Sequence, residues 1–485
     1  MRGRRFVTAL VLVLLAALGT AVAEVVVRAT TSPRTVTVLA SWSGDEEEAF
    51  RAVLKEFTRR TGVEVDYQGT TAQREVLRSE VLAGAPPDVA ILSSPGELAA
   101  YARDGQAVPL GGVLGDGLRS AYDEPWLPEL VVSGRSDLYW VPVKADLKSI
   151  VWYDPGRYAA GSGGEGGSGG EGGNAGDGGN AGDGGNGGNG GEGGNGGEGG
   201  SAGPAGPAGP PSDGDAWCLG MGADATSGWP GTDWVEDLLL QQSGPEVYEK
   251  WATGGEWATP GMRKAWLTWG ETLGGNGSGR AAEALTTDLE AASGGLFAEP
   301  PACALDHQAS FVRGVYGSPG TAVSDRPGNF LPSAEVLPGT TGRNRAWEVA
   351  GDFAAMFRDT PEARELTRFL ASDGAQRHWA VNAPVTMPRP LSANARVPVA
   401  DDGSDAVSRR LVSTLRSPLP RCLDASDAMP SAMGDAFRHA TLRFLDSPEE
   451  FLDAPERLDA LLARLDGVRE QVAREGGTWL PAVCG

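Results

Sequence analysis

Histidine is scarce in this chain, with 3 in 485 residues, and neither an HExxH pair nor a CxxC occurs. That removes the usual donor sets for zinc, and no metal or cofactor is expected. Basic residues are outnumbered, 41 Lys and Arg against 64 Asp and Glu, for a net charge of -23 and a pI near 4.6. Such a balance argues against nucleic acid and against a polybasic membrane surface as partners. Cysteine is sparse too: Cys218, Cys303, Cys422 and Cys484 are even in number and far apart. In an exported protein they read as two disulfides, with three connectivities open.

Long apolar runs are missing except at the start. Arg2, Arg4 and Arg5 form a basic region, Phe6 to Leu18 is apolar, and Ala21-Val22-Ala23 is a cleavage signal before Glu24. Residues 1–23 are therefore read as a signal peptide or an N-terminal anchor, since the run could span a membrane if left uncleaved. No cysteine follows it, which excludes anchoring there through a lipid-modified cysteine. The expected location is the extracellular face of the cell membrane, secreted or N-terminally anchored.

The length exceeds one ordinary domain and predicts two lobes. Thr35 to Leu39 alternates as a strand should. Asp45-x-x-Glu48 is a capping-box variant, and Phe50, Val53, Leu54 and Phe57 follow at helical spacing as far as Arg60, before Gly62. Val63 to Tyr67, Ala72 to Leu82, Asp88 to Leu92 and Pro95 to Ala102 continue a βαβαβα rhythm, so parallel strands with helices on both faces are expected. Ligands on such sheets bind beyond the carboxyl ends of the strands, which selects Trp42-Ser43 and Ser93-Ser94. Strands are predicted at Leu138 to Pro142 and Ser149 to Tyr153, on either side of Val143 to Asp146. Single helices are predicted over Pro361 to Trp379, capped by Thr360, and over Phe451 to Val472.

Gly161 to Pro210 is a different material, glycine with Asn, Ser, Glu and Asp and then GPAGPAGPP. With no aromatic, Leu, Ile or Val it cannot offset its ordering entropy, and a disordered insertion is expected. Gly166 to Gly170 satisfies the GxSxG pattern of hydrolases, but without the strand and helix of the nucleophile elbow.

The rest is organised around Asp215 to Leu240, DAWCLGMGADATSGWPGTDWVEDLLL. Thr232 suits a helix N-cap, with Asp233, Glu236 and Asp237 on the first turn. Trp229 on a Gly-Pro loop offers an apolar plate beside hydrogen-bonding groups, as the two-faced surface of a pyranose requires. This segment resembles the extracellular solute-binding proteins of ABC sugar importers, family 1, in the alpha-glucoside-binding branch. WSGDEEEAF, APPDVAIL with SSPGELAAYARDG, LYWVPVKADLKSIVWYDP, CALDHQASF and DASDAMP extend the resemblance over roughly 35 to 160 and 211 to 437. The chain departs from the family pattern at Ala380 to Pro384 and at Arg438, where an aromatic is usual.

The resemblance implies an α/β, two-lobe, periplasmic-binding-protein-like (type II) fold with hinge crossings and the Gly-rich insertion. Lobe 1 is assigned 34–143 and 300–345. Lobe 2 is assigned 144–160, 211–299 and 346–485, with 161–210 inserted and Trp347 to Phe357 as a re-entering loop. It implies a likewise monomeric binding protein that takes a carbohydrate between the lobes and presents it to membrane ABC permease subunits, without being an enzyme. Trp42 and Trp229 would stack, while Ser94, Asp233, Gln308 and Asp352, with Glu46 and Asp146, would bond hydroxyls. His307 is expected to be structural. The disulfides are expected to be Cys218–Cys303, joining segments beside the cleft, and Cys422–Cys484, tying the C-terminal tail to the helical part. Two other classes are open to an acidic, Trp-bearing exported chain: a glycoside hydrolase and a membrane-anchored sensory ectodomain.

Overall fold

The computed structural model describes residues 34–156, 216–274, 279–317, 328–340, 345–398 and 405–485, with 322 and 342. The signal or anchor segment and the Gly161–Pro210 insertion lie outside the described residues. No described helix is long and apolar enough to cross a membrane.

The expected βαβαβα run forms as β1 (Thr35–Ala40), α1 (Gly44–Thr61), β2 (Glu64–Gly69), α2 (Gln73–Leu82), β3 (Val89–Leu92) and α3 (Pro95–Arg103). β1 lies between β2 and β3, parallel to both. Gly62 closes α1 in the left-handed conformation at φ 70°. The capping box does not form, however. Helix α1 starts one residue earlier than Asp45, at Gly44, and Ser43 stands at its N-cap without a side-chain bond.

A short hairpin, β4 (Leu130–Val132) and β5 (Arg135–Asp137), precedes β6 (Trp140–Leu147) and β7 (Ile150–Tyr153). Val143 to Asp146 therefore lies inside a strand rather than between two. The lobe assignment is corrected by the pairing. β8 (Leu305–His307) and β9 (Asn329–Pro332), from the segment assigned to lobe 1, flank β7 in a separate antiparallel sheet. Trp347–Met356, expected as a loop of lobe 2, is β10 of the first sheet. It runs antiparallel to β6 along one side and to β3 along the other, where β11 (Arg421–Leu423) also joins it in parallel. Its near-continuous burial is what a central strand covered on both faces requires.

Three crossings join the two lobes. The first is only Lys148-Ser149, between β6 and β7; the second leads from β9 into β10; the third leaves β11 at Asp424. Helices Pro361–Leu370 and Asp373–Asn382 pack on the first lobe, capped by Thr360 and Ser372, where a single helix was expected. The last predicted helix is also two, Pro448–Asp453 and Pro455–Arg474, because Pro455 cannot donate into a continuing helix. In the second lobe α4 (Trp229–Ser243) and α5 (Pro245–Ala252) pack with Pro260–Gly274 and Ser431–Asp446 around Trp251, Trp257, Trp266, Trp269 and Phe444. Both expected disulfides are present, Cys218–Cys303 and Cys422–Cys484. His307 is structural, with Nε2 at 2.8 Å from Asp237 and the ring against Trp234.

Candidate functional site

The crossings form the floor of a cleft between the lobes. It holds an inner cavity of about 320 Å³ and an outer one of about 520 Å³, which share Glu46, Lys144, Asp146 and Phe311 at a waist. The first lobe contributes Ser41, Trp42, Arg74, Ser93 and Asp352 to the inner cavity; the second contributes Trp229, Phe311, Asp424, Ser426, Asp427 and Arg438.

Trp229 is delivered by the start of α4. Gly228, at φ 96°, is the N-cap, a backbone conformation open to glycine, and Trp229-Pro230 opens the helix. Thr232 is thus inside the helix and not its cap. Asp233 faces inward, with Oδ1 at 2.9 Å from Lys148 Nζ. Trp229 is half-buried, with Lys148 Nζ 5.4 Å from its ring centroid and Phe311 at 6.1 Å. The two rings give the second-lobe wall an apolar surface. Trp42 lines the cavity but is no open plate. Its ring is held edge-on by Phe50 at 4.7 Å and Trp379 at 4.8 Å.

The hydroxyl-binding candidates divide. Glu46, Asp146 and Asp352 surround Lys144 Nζ at 3.0, 3.8 and 4.0 Å. Strand alternation turns Ala350 and Asp352 of β10 to the cleft, and the register against β6 shifts just after them, at Asp352/Phe353. Ser94 does not line the cavity. Its hydroxyl accepts from Glu97 N at 3.2 Å and donates to the Asp427 carbonyl at 2.8 Å. Gln308 is buried outside the lining, and its carbonyl accepts from Trp152 Nε1 at 3.0 Å. Asp233 lies buried one layer below the surface of the cavity.

Sequence reasoning passed over Arg74, Lys144, Lys148, Phe311, Asp424 and Asp427. The two lysines had a visible signal, as cations four apart in an apolar strand-forming run of an acidic chain. Lys148 Nζ bonds Asp233 and Asp424 together. Burial works against its charge, but Asp233, Asp424 and Glu348 outweigh it and hold the ammonium well above its ordinary range. Asp233, Glu236 and Asp424 come within 4.8 Å of one another, a spacing a metal ion could use, but the Lys148 ammonium already serves two of them as a cation.

Burial pushes Asp352 up to about 7 against the pull of Lys144. Burial, with Asp424 next, does the same to Asp427, also to about 7. A carboxyl raised on folding contributes stability that is fully present below pH 4 and is lost as pH rises towards 7. Asp352→Asn, which keeps the shape of the neutral acid, is expected to match the parent protein at pH 4. At pH 8 it should exceed the parent by up to about 4 kcal/mol, about 1.4 kcal/mol for each pH unit by which burial raises the carboxyl, as denaturant titration at both values would measure.

This geometry suits a ligand with apolar ring faces and many hydroxyls. The model of the bacterial extracellular solute-binding protein family matches residues 43–377. The osmoprotective compounds-binding protein of Synechocystis sp. is 29% identical over 405 residues, 82% of this chain and 85% of that one. The alpha-glucosides-binding periplasmic protein of Rhizobium meliloti is 29% identical over 417 residues, 83% of this chain and 81% of that one. Among solved structures, the cyclic alpha-maltosyl-1,6-maltose binding protein from Arthrobacter globiformis superposes with a TM-score of 0.56 at 14% identity, covering 91% of this chain and 99% of that one.

Proposed function

Because this chain belongs to the bacterial extracellular solute-binding proteins, we propose that it captures an alpha-linked glucoside between its lobes and passes it to the permease of an ABC importer. It acts as an exported monomer at the outer face of the cell membrane. The observation that carries this reading is the pairing, in one interlobe cavity, of the Trp229 and Phe311 rings with the carboxyl groups of Asp352 and Asp427. Rings cover the apolar face of a sugar, and carboxyl oxygens accept hydrogen bonds from its hydroxyls. The inner cavity suits a disaccharide, and the outer one gives a longer chain room past the waist. Closing the lobes on a ligand that touches both shifts the hinge equilibrium, and no covalent step is involved.

Thermal-shift screening against mono-, di- and trisaccharides tests this, because a ligand that binds only the folded state raises the melting temperature. An alpha-linked glucose disaccharide is expected to give a large shift. Trp229→Ala should weaken its binding by roughly 1–3 kcal/mol, the loss of a desolvated aromatic anchor. Unchanged affinity in a folded Trp229→Ala protein would remove the ring from the site.

A further inference from the structure

All three crossings place an ionisable side chain in one buried cluster, which reaches the inner cavity at Lys148 and Asp424. Lys148 comes from the first, Glu348 from the start of β10, and Asp424 from the third. Helix α4 adds Asp233 and Glu236, and α5 adds Tyr248. Glu236 reaches out of its helix to hold the third crossing. Its Oε2 accepts from the amides of Ala425 at 2.6 Å and Ser426 at 3.3 Å, and from Tyr248 Oη at 3.2 Å. Those amides begin the segment whose Asp424, Ser426 and Asp427 line the cavity.

Glu348 is fully buried, and neither carboxyl oxygen has a hydrogen-bond partner among the described residues. Its backbone is tied to the first crossing, where its amide donates to Ser149 Oγ at 2.8 Å and its main-chain carbonyl accepts from Lys148 N at 2.8 Å. The titratable groups facing it are Glu236 and Asp233 from α4, Tyr248 from α5, Asp424 from the third crossing and Lys148 from the first. One ammonium thus stands among four carboxyls. A buried carboxylate without a partner is too costly to persist, so the excess acids take up protons. Burial first, then their acidic neighbours, push both glutamates well above the ordinary range, whereas Lys148 and its hydrogen bonds hold Asp424 below it against burial.

We propose that Glu348 is a positioning residue: Glu236 holds the third crossing against the cleft by accepting its amides, Glu348 behind it must stay a neutral acid for that seat to persist, and alkaline pH weakens ligand binding by ionising Glu348. Ionised Glu348 would repel Glu236 and Asp424 across the hinge and displace the wall that carries Ser426 and Asp427. The proposal rests on the sugar-binding reading above. Burial also raises Asp352 and Asp427, to about 7, and burial with Asp424 raises Asp233 to about 8, so Asp233, which bonds the same Lys148, needs its own control.

The experiment is calorimetric titration of the full chain with an alpha-linked glucose disaccharide from pH 6.5 to 9.5. Affinity of the parent protein is expected to fall tenfold or more above pH 8. Glu348→Gln, a neutral isostere that loses no hydrogen bond, should remove most of that fall, and Asp233→Asn should leave it in place. A Glu348→Gln profile parallel to the parent, or a fall abolished by Asp233→Asn alone, would overturn the proposal. Amide hydrogen exchange at Ala425 and Ser426 gives a readout that needs no sugar. Protection lost over the same pH range in the parent and kept in Glu348→Gln supports the positioning role, and pH-independent protection refutes it. If no sugar binds at any pH, the ligand reading fails, and the exchange result still decides the role of Glu348.

Discussion

Replacing Lys148 with alanine is expected to cost about 3–5 kcal/mol of stability, the typical effect of removing one partner from a buried ion pair. The reason lies in what remains. Asp233 and Asp424 lose the ammonium they share, and both are enclosed at the meeting point of the crossings. Neither can turn to solvent, because Asp424 also caps the short helix Ala425–Ala428 through the amide of Asp427 and accepts from Ser426 Oγ. The orphaned Asp424 can be relieved only by taking up a proton. The deficit is therefore expected to be largest at pH 8 and to shrink towards pH 5. Urea titrations at the two values would measure it, and a deficit independent of pH would mean that lost packing, not lost charge, is responsible. Lysine to methionine, which keeps the length of the stem, should behave nearly as badly. Sugar binding is expected to be lost with either change, since the same ammonium lies beside the Trp229 ring and lines the cavity.

Removing the Cys422–Cys484 disulfide by a double serine substitution is expected to cost about 4 kcal/mol, in the chain-entropy account of cross-links. The bridge closes a loop with a sequence separation of 62 residues, and Cys218–Cys303 closes one of 85. Loop entropy alone makes the two nearly equal. They should differ in their effect on affinity. Cys422 lies in β11, two residues before Asp424, and Arg421 exchanges backbone hydrogen bonds with Gly485 at 2.7 and 2.8 Å. Releasing that tie frees the third crossing, so C422S/C484S should weaken ligand binding several-fold in protein that remains folded. C218S/C303S, which unties the segment before α4 from the one leading into β8 and leaves the third crossing tied, should change melting temperature with less effect on affinity. Equal losses of affinity in the two variants would contradict this assignment.

Local patterns in the chain were legible where a single rule governs them. The alternation of Thr35 to Leu39, the Gly62 stop and the Thr360 cap all stand in the structure. Asp45-x-x-Glu48 and Thr232 misled because other residues preceding the helices took the cap positions. Gly228 can adopt a left-handed backbone, and Trp229-Pro230 can open a helix without the donor that proline lacks. The allocation of the later segments, 300–345 and Trp347–Met356, was not legible. Nothing within Trp347–Met356 says that it will pair with residues 89–92 and 140–147 rather than with the nearer β9. Of the residues selected from the sequence, Trp42, Glu46, Asp146, Trp229 and Asp352 line the cleft, and Ser94, Asp233 and Gln308 do not. The cations were missed because a lysine is ordinarily read as a solvated surface group, and only the fold shows Lys144 and Lys148 enclosed by carboxylates.

The central position of β10 has a consequence for the order in which the molecule can be made. The first sheet is complete only when Trp347–Met356 joins strands synthesised more than 200 residues earlier, and β11 comes later still. Between those strands the chain lays down the whole small sheet of the second lobe. A nascent chain therefore presents β3 and β6 without the strand that separates them, with apolar edges open to other chains until β10 arrives. Loop closure over such distances adds little to the equilibrium cost, since each doubling of length costs about 0.6 kcal/mol. Its effect falls on the rate, because non-local pairings form late. Slow maturation and a need for protection from edge-to-edge association during synthesis follow from this topology.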